Sequence, residues 1–111
     1  MIIDFHTHCF PDKIAAKTIE LLRIRSGITR PSHDGSINGL VSLQKECGVD
    51  CSVVLNIATN PHQQKNVNDF AISLKNIDGI IPFGSVHPDS PDALYELERL
   101  KKNGIKGVKL H

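Results

Sequence analysis

CSVVLNIATNP, residues 51–61, decides the fold. Cys51 to Ala58 is almost continuously apolar, which describes a strand buried on both faces rather than one with a wet side. Asn60 then offers a helix cap with Pro61 at the first helical position. Val67, Phe70, Ala71 and Leu74 recur at helical spacing behind it. Working outward, the same unit repeats. Ile80–Val86 is a third strand, and the helix after it is expected to start at a Ser90 cap followed by Pro91 and to stop at Asn103-Gly104. Residues 105–111, IKGVKLH, read as a fourth strand. Upstream, Met1–Phe5 reads as the first strand and residues 11–25 as a helix with Ile14, Ala15, Thr18, Ile19 and Leu22 on one stripe. An additional helix is capped by Ser36, buries Ile37, Leu40, Val41 and Cys47, and stops at Gly48. Strand starts near 51, 80 and 105 have the period of a β/α unit. The fold class is therefore α/β, with parallel strands, covering helices and right-handed crossovers. An isolated doubly wound domain and the first half of a (β/α)₈ barrel both fit.

Composition narrows the function. With 40% apolar and 23% charged residues, the 111-residue chain is expected to form a single domain over 1–111 and not to be disordered. Its net charge of +1 carries no basic cluster, which argues against nucleic acid and anionic membranes as partners and favours a small-molecule substrate. No run approaches the roughly 18 to 20 apolar residues of a membrane helix, and no signal peptide opens the chain, so a cytoplasmic location is expected. Cys9, Cys47 and Cys51 form no CxxC pair; Cys47 and Cys51 read as small buried groups. DFHTHCFPD, residues 4–12, has no glycine, which weakens a phosphate-loop reading.

Chemistry concentrates at strand ends. Alternation along the first strand would send Asp4, His6 and His8 to one face and Ile3, Phe5 and Thr7 to the helix side. Two imidazoles at a barrel rim can hold a divalent metal. The same parity puts Ser85 and His87 inward on the third strand and Lys109 and His111 inward on the fourth, with Asn56 a further inward candidate on the second. His87 and His111 stand at the last positions of their strands, where catalytic groups of a barrel are found. His33 and His62 read as surface histidines.

IIDFHTH at the start, NIATNP after strand two, FGSVHP after strand three and GIKGVKLH at the end together resemble the amidohydrolase-related family over all 111 residues. This is the branch of the metal-dependent hydrolases that includes aminocarboxymuconate-semialdehyde decarboxylase. The resemblance implies a (β/α)₈ TIM-type barrel in which His6 and His8 are metal ligands. It also implies further ligands from strands five, six and eight. A metal-activated water would attack a small organic substrate, while His111 and His87 would orient it or donate to a developing oxyanion. Decarboxylation (a carboxy-lyase) or hydration is the alternative within the family.

Such a barrel needs about 250 residues. The chain is accordingly expected to be its N-terminal portion, about four strands, inactive alone and weak in metal binding, with open edges that invite self-association or a missing barrel half. A phosphoesterase with a similar HxH opening and a non-catalytic half-barrel interaction module are the other two readings. The near-neutral charge disfavours the former.

Overall fold

The computed structural model describes residues 1–111. Its strands are β1 (Ile3–Thr7), β2 (Cys51–Leu55), β3 (Ile80–Ser85) and β4 (Val108–Lys109). The helices are α1 (Asp12–Ser26), α2 (Ile37–Cys47), α3 (Gln64–Ser73) and α4 (Ala93–Lys102), with a 3₁₀ turn at Pro61–Gln63 leading into α3. All neighbours pair in parallel, in the order β1-β2-β3-β4. A doubly wound sheet reverses its order at a switch point. Here the order never reverses, so right-handed crossovers stack successive helices on one face. The result is a curled, four-stranded half-barrel with one face dressed and the other bare.

The dressed face is identified by its packing. Leu40 of α2, Leu74 beside α3, Val54, Ile80 and Cys9 form the apolar core, with Phe70 and Ile37 against it. Each such aliphatic side chain contributes about 1.5–3 kcal/mol on burial. Gly84 lies on this face because α4 comes so close: a Cβ there would stand 2.5 Å from Leu100 Cδ1 and 2.9 Å from Asn68 Oδ1. Ladder partners share a face, so Val108, paired with Gly84, also points to the helix side, while Lys109 shares the other side with Ser85. The expected parity therefore holds for Gly84 and Ser85 and for Val108 and Lys109, while His87 and His111 lie beyond the ends of β3 and β4.

Local chemistry explains most of the boundaries. Ser36 Oγ accepts from Gly39 N–H at the start of α2, and Gly48, at φ 68°, closes it in the left-handed conformation that glycine adopts without penalty. Asn60 caps the 3₁₀ turn as its sequence position requires. Ser90 does not cap α4: that helix begins after Asp92, and Ser90 Oγ instead accepts N–H bonds from Asp92 and the Gln64 amide in the preceding turn. Strands β2 and β4 are shorter than the apolar runs containing them.

Two expectations about burial are corrected. Cys47 is exposed and Cys51 only half-buried; Cys9 is the buried thiol, and burial pushes it up to about 12. Of the α1 stripe only Ala15 is buried, while Ile14 and Leu22 are 45% and 44% exposed. That helix instead meets the loop that follows it, where Gly35 lies against Ile19 and the Ala15 carbonyl.

Candidate metal centre

The pair His6 and His8 closes β1, and the route to it differs from simple alternation. The ladder pairs Ile3 with Cys51 and Asp4 with Ser52, but Thr7 with Val54. Three steps on β1 thus span two on β2, as in a bulge. Asp4 Oδ1 accepts the His6 N–H at 3.1 Å, folding the backbone on itself there. Phe5 consequently does not join the helix side. Its ring meets Phe83 edge-on, centroids 6.3 Å apart, on the bare face opposite Gly84, and it remains 64% exposed. Ile3, which shares its side with Cys51 and not with Val54, is corrected in the same way. Thr7, paired with Val54 of the helix-side core, does lie on the helix side as expected, its hydroxyl donating to Val53 O at 2.8 Å.

The imidazoles still converge. His6 Nε2 and His8 Nε2 are 3.1 Å apart, the rings inclined at 70°. His8 Nδ1 lies 2.9 Å from the Leu55 carbonyl oxygen, which can only accept, so Nδ1 carries the proton and the Nε2 lone pair is left pointing at His6. This is the orienting hydrogen bond that metal-ligating histidines generally have. Burial is the main influence on His8, only partly offset by the Leu55 bond and reinforced by His6 and Lys109; it holds the ring below the ordinary imidazole value and therefore neutral at pH 7.

The pair fits a metal as a chelating limb. Two nitrogens 3.1 Å apart, each about 2.05 Å from one ion, subtend roughly 98° there, between octahedral and tetrahedral angles. No third histidine, cysteine or carboxylate within the chain completes a group able to hold an ion.

A cavity of about 330 Å³ adjoins the pair, bounded by α1 and the α1–α2 loop rather than by the later strands. Phe10, Ile19, Leu22 and Leu40 supply apolar walls, and His33 stands among them. His33 Nδ1 accepts the Gly35 N–H at 3.0 Å, leaving its Nε2–H available as a donor. His33 is thus half-buried beside the candidate site instead of a free surface residue, whereas His62 is exposed as expected. A polar loop ending in DG, residues 34–35, was the only available signal of the turn that places His33.

The other candidates are spread along the rim. His87 follows β3 in a turn where Nδ1 accepts from Asp89 N–H at 3.2 Å and its own N–H donates to Gln64 Oε1. His111 is exposed beyond β4, and Lys109 half-buried. The Asn56 amide is committed to the Phe83 carbonyl at 2.8 Å. Ser85 Oγ accepts from Ala58 N–H and donates to Lys109 O, tying the loop after β2 to β4. No helix is long and apolar enough to cross a membrane. Comparison with known protein families, with curated proteins and with solved structures gave no match.

Proposed function

We propose that the chain is the N-terminal half of a (β/α)₈ metal-dependent hydrolase of the amidohydrolase-related kind, acting on a small organic substrate. The observation that carries this reading is the pre-set His8 ring: its Nδ1 proton is held by Leu55 O and its Nε2 lone pair stands 3.1 Å from a second imidazole nitrogen. A pair of merely solvated histidines has no need of either feature. The uninterrupted strand order supports the barrel geometry, because further β/α units can extend the curl without a reversal.

In this reading His6 and His8 hold a divalent ion, most readily Zn²⁺, together with ligands from outside the chain. When bound, the ion supplies Lewis acidity that brings water's pKa near 7 and polarises a carbonyl. The chain's own residues do the rest. The Leu55 carbonyl keeps His8 in the tautomer that ligates. Phe10, Ile19 and Leu22 receive an apolar substrate body in a cavity at the small end of the ligand-site range. His33 Nε2–H, and along the rim His87 and His111, orient its oxygen atoms by hydrogen bonding.

Zinc titration by calorimetry tests the site without requiring turnover. The wild-type chain is expected to bind weakly, His8→Ala to lose roughly tenfold or more in affinity, and His33→Ala to match wild type. Equal binding by wild type and His8→Ala would remove the metal reading.

A further inference from the structure

The cavity beside the histidine pair holds one polar group that the chain leaves unused. It is bounded by elements that follow one another directly: the end of β1, α1, the α1–α2 loop and α2. Its hydroxyls are committed or wet, since Thr7 donates to Val53 O and Ser26 to Leu22 O, while Ser32 is exposed. Arg23, the one Lys or Arg in the lining, is bound through Nε and Nη2 to both oxygens of Glu20, at 2.9 and 2.7 Å. The Asp4 carboxylate lies in the same lining. No free cation therefore awaits an anionic ligand, and Asp4 repels one.

His33 is the exception. The Gly35 N–H donates to its Nδ1, so the neutral ring carries its proton on Nε2, and that N–H has no partner in the chain. His8 is held in the opposite tautomer by Leu55 O. Backbone groups thus sort two imidazoles of one cavity into a ring with a free lone pair and a ring with a free donor. The sorting at His33 is built into the loop. Gly35 takes φ 85°, where a Cβ would overlap Ile19 Cγ1 and stand 3.2 Å from the Ala15 carbonyl oxygen, and its own carbonyl accepts the Phe10 N–H at 2.8 Å. One residue therefore fixes His33 and ties the loop to the segment that follows the histidine pair.

We propose that His33 Nε2–H is the recognition group of this cavity and reads the oxygen of an uncharged carbonyl compound, an amide or ester whose compact apolar body lies against Phe10, Ile19, Leu22 and Leu40. A donor-only group needs an acceptor, which rejects an ammonium head, and the want of a free cation rejects a carboxylate or phosphate. Binding of such a compound rests on the cavity alone; its being the substrate rests on the metal reading above. Within that reading the class points to acyl hydrolysis rather than to loss of a carboxylate.

Benzamide, benzoate and benzylamine share one ring and differ in the head group, so they serve as probes. In EDTA, benzamide is expected to shift the methyl resonances of Ile19, Leu22 and Leu40 saturably at millimolar concentration, and benzoate and benzylamine to bind about tenfold more weakly or worse. Long-range proton–nitrogen correlation spectra should show the His33 ring protonated at Nε2 alone, with that nitrogen shifting as benzamide binds. His33→Ala should lose about tenfold in benzamide affinity with its far-UV circular dichroism and zinc binding unchanged, whereas His33→Gln, which still donates, keeps most of it. Benzoate or benzylamine bound as well as benzamide, or benzamide bound as well by His33→Ala as by wild type, would overturn the assignment. Zinc held equally by wild type and His8→Ala, with benzamide still dependent on His33, ends the metal reading and supports the recognition site. Zinc lost in His8→Ala, with no benzamide response at those methyls, ends this inference alone.

Discussion

Replacing Asn68 with alanine tests how the rim is held. This side chain is fully buried on α3 and makes three hydrogen bonds: Nδ2 donates to Ser85 O at 2.9 Å and to Glu96 Oε2 at 2.8 Å, and Oδ1 accepts Ser85 N–H at 2.8 Å. Asn68→Ala strands the Ser85 N–H and C=O in the interior, at about 1–3 kcal/mol for each unsatisfied group. Glu96 loses one donor but keeps both Arg99 contacts, so its share is smaller. A total near 3–5 kcal/mol is a large part of the 5–15 kcal/mol typical of a domain. With a urea slope of about 1.5 kcal/mol/M, the midpoint should fall by about 2 M or more, measured at matched protein concentration. Asn68→Asp should be worse at pH 7, because a carboxylate cannot donate to Ser85 O and faces Glu96. A loss below about 1 kcal/mol for Asn68→Ala would show that Ser85 finds other partners, refuting the claim that this amide sets the β3 rim.

Other consequences follow from the same packing. Burial pushes Glu96 up, but hydrogen bonds from Arg99 and Asn68 outweigh it, and hydrogen bonding to Lys65 and Arg99 draws Asp69 down as well. Both carboxyls are therefore depressed in the folded state, so their stabilisation is complete above the unfolded values near 4 and is lost as pH falls through the folded ones. Urea midpoints should decline below about pH 4, and Glu96→Gln should flatten that decline; an unchanged slope would remove Glu96 as its source. Gly84→Ala drives a methyl into Leu100 and the tethered Asn68 Oδ1 and should cost about 1–3 kcal/mol, read as a lowered melting temperature. A neutral result would mean that α4 shifts freely. Thiol titration at pH 8 should label Cys47 at once and Cys9 only on unfolding, in keeping with their exposure and the raised Cys9 pKa; rapid labelling of Cys9 would place it outside the core.

Much of this architecture was legible because it rests on short-range pattern. Apolar runs marked β2 and β3, capping chemistry at Ser36 and Asn60 marked helix starts, and parity correctly placed Gly84 and Lys109. The convergence of His6 and His8 was readable too, although the reason given by alternation was incomplete. A two-residue period cannot announce a bulge, and the Asp4 carboxylate that captures the His6 N–H is a side-chain event invisible to it. His33 was missed because a loop's path depends on its turn geometry. The Asn68–Ser85–Glu96 latch was missed because polar residues on a helix read as solvent-facing until a third element, α4, is known to lie against them.

These differences divide the molecule unevenly. Ser52 ties β2 to Gln44 of α2, and Asn68, Ser85 and Glu96 latch β3, α3 and α4 together by buried hydrogen bonds, while β2 carries Val53 and Val54 at 1% and 0% exposure. β1 and α1, which carry the histidine pair and the cavity wall, have one strand neighbour between them and leave Ile3, Phe5, Ile14 and Leu22 in water. The candidate site is thus built on the least-supported edge of the fold. His8 is held from inside by the Leu55 carbonyl, but nothing in the chain covers the outer side of β1. A strand pairing there would add backbone bonds to β1 and remove water from beside the imidazoles. Completion of the sheet and completion of the candidate site would then be the same event, because β1 is both the open edge and the strand that bears the histidine pair.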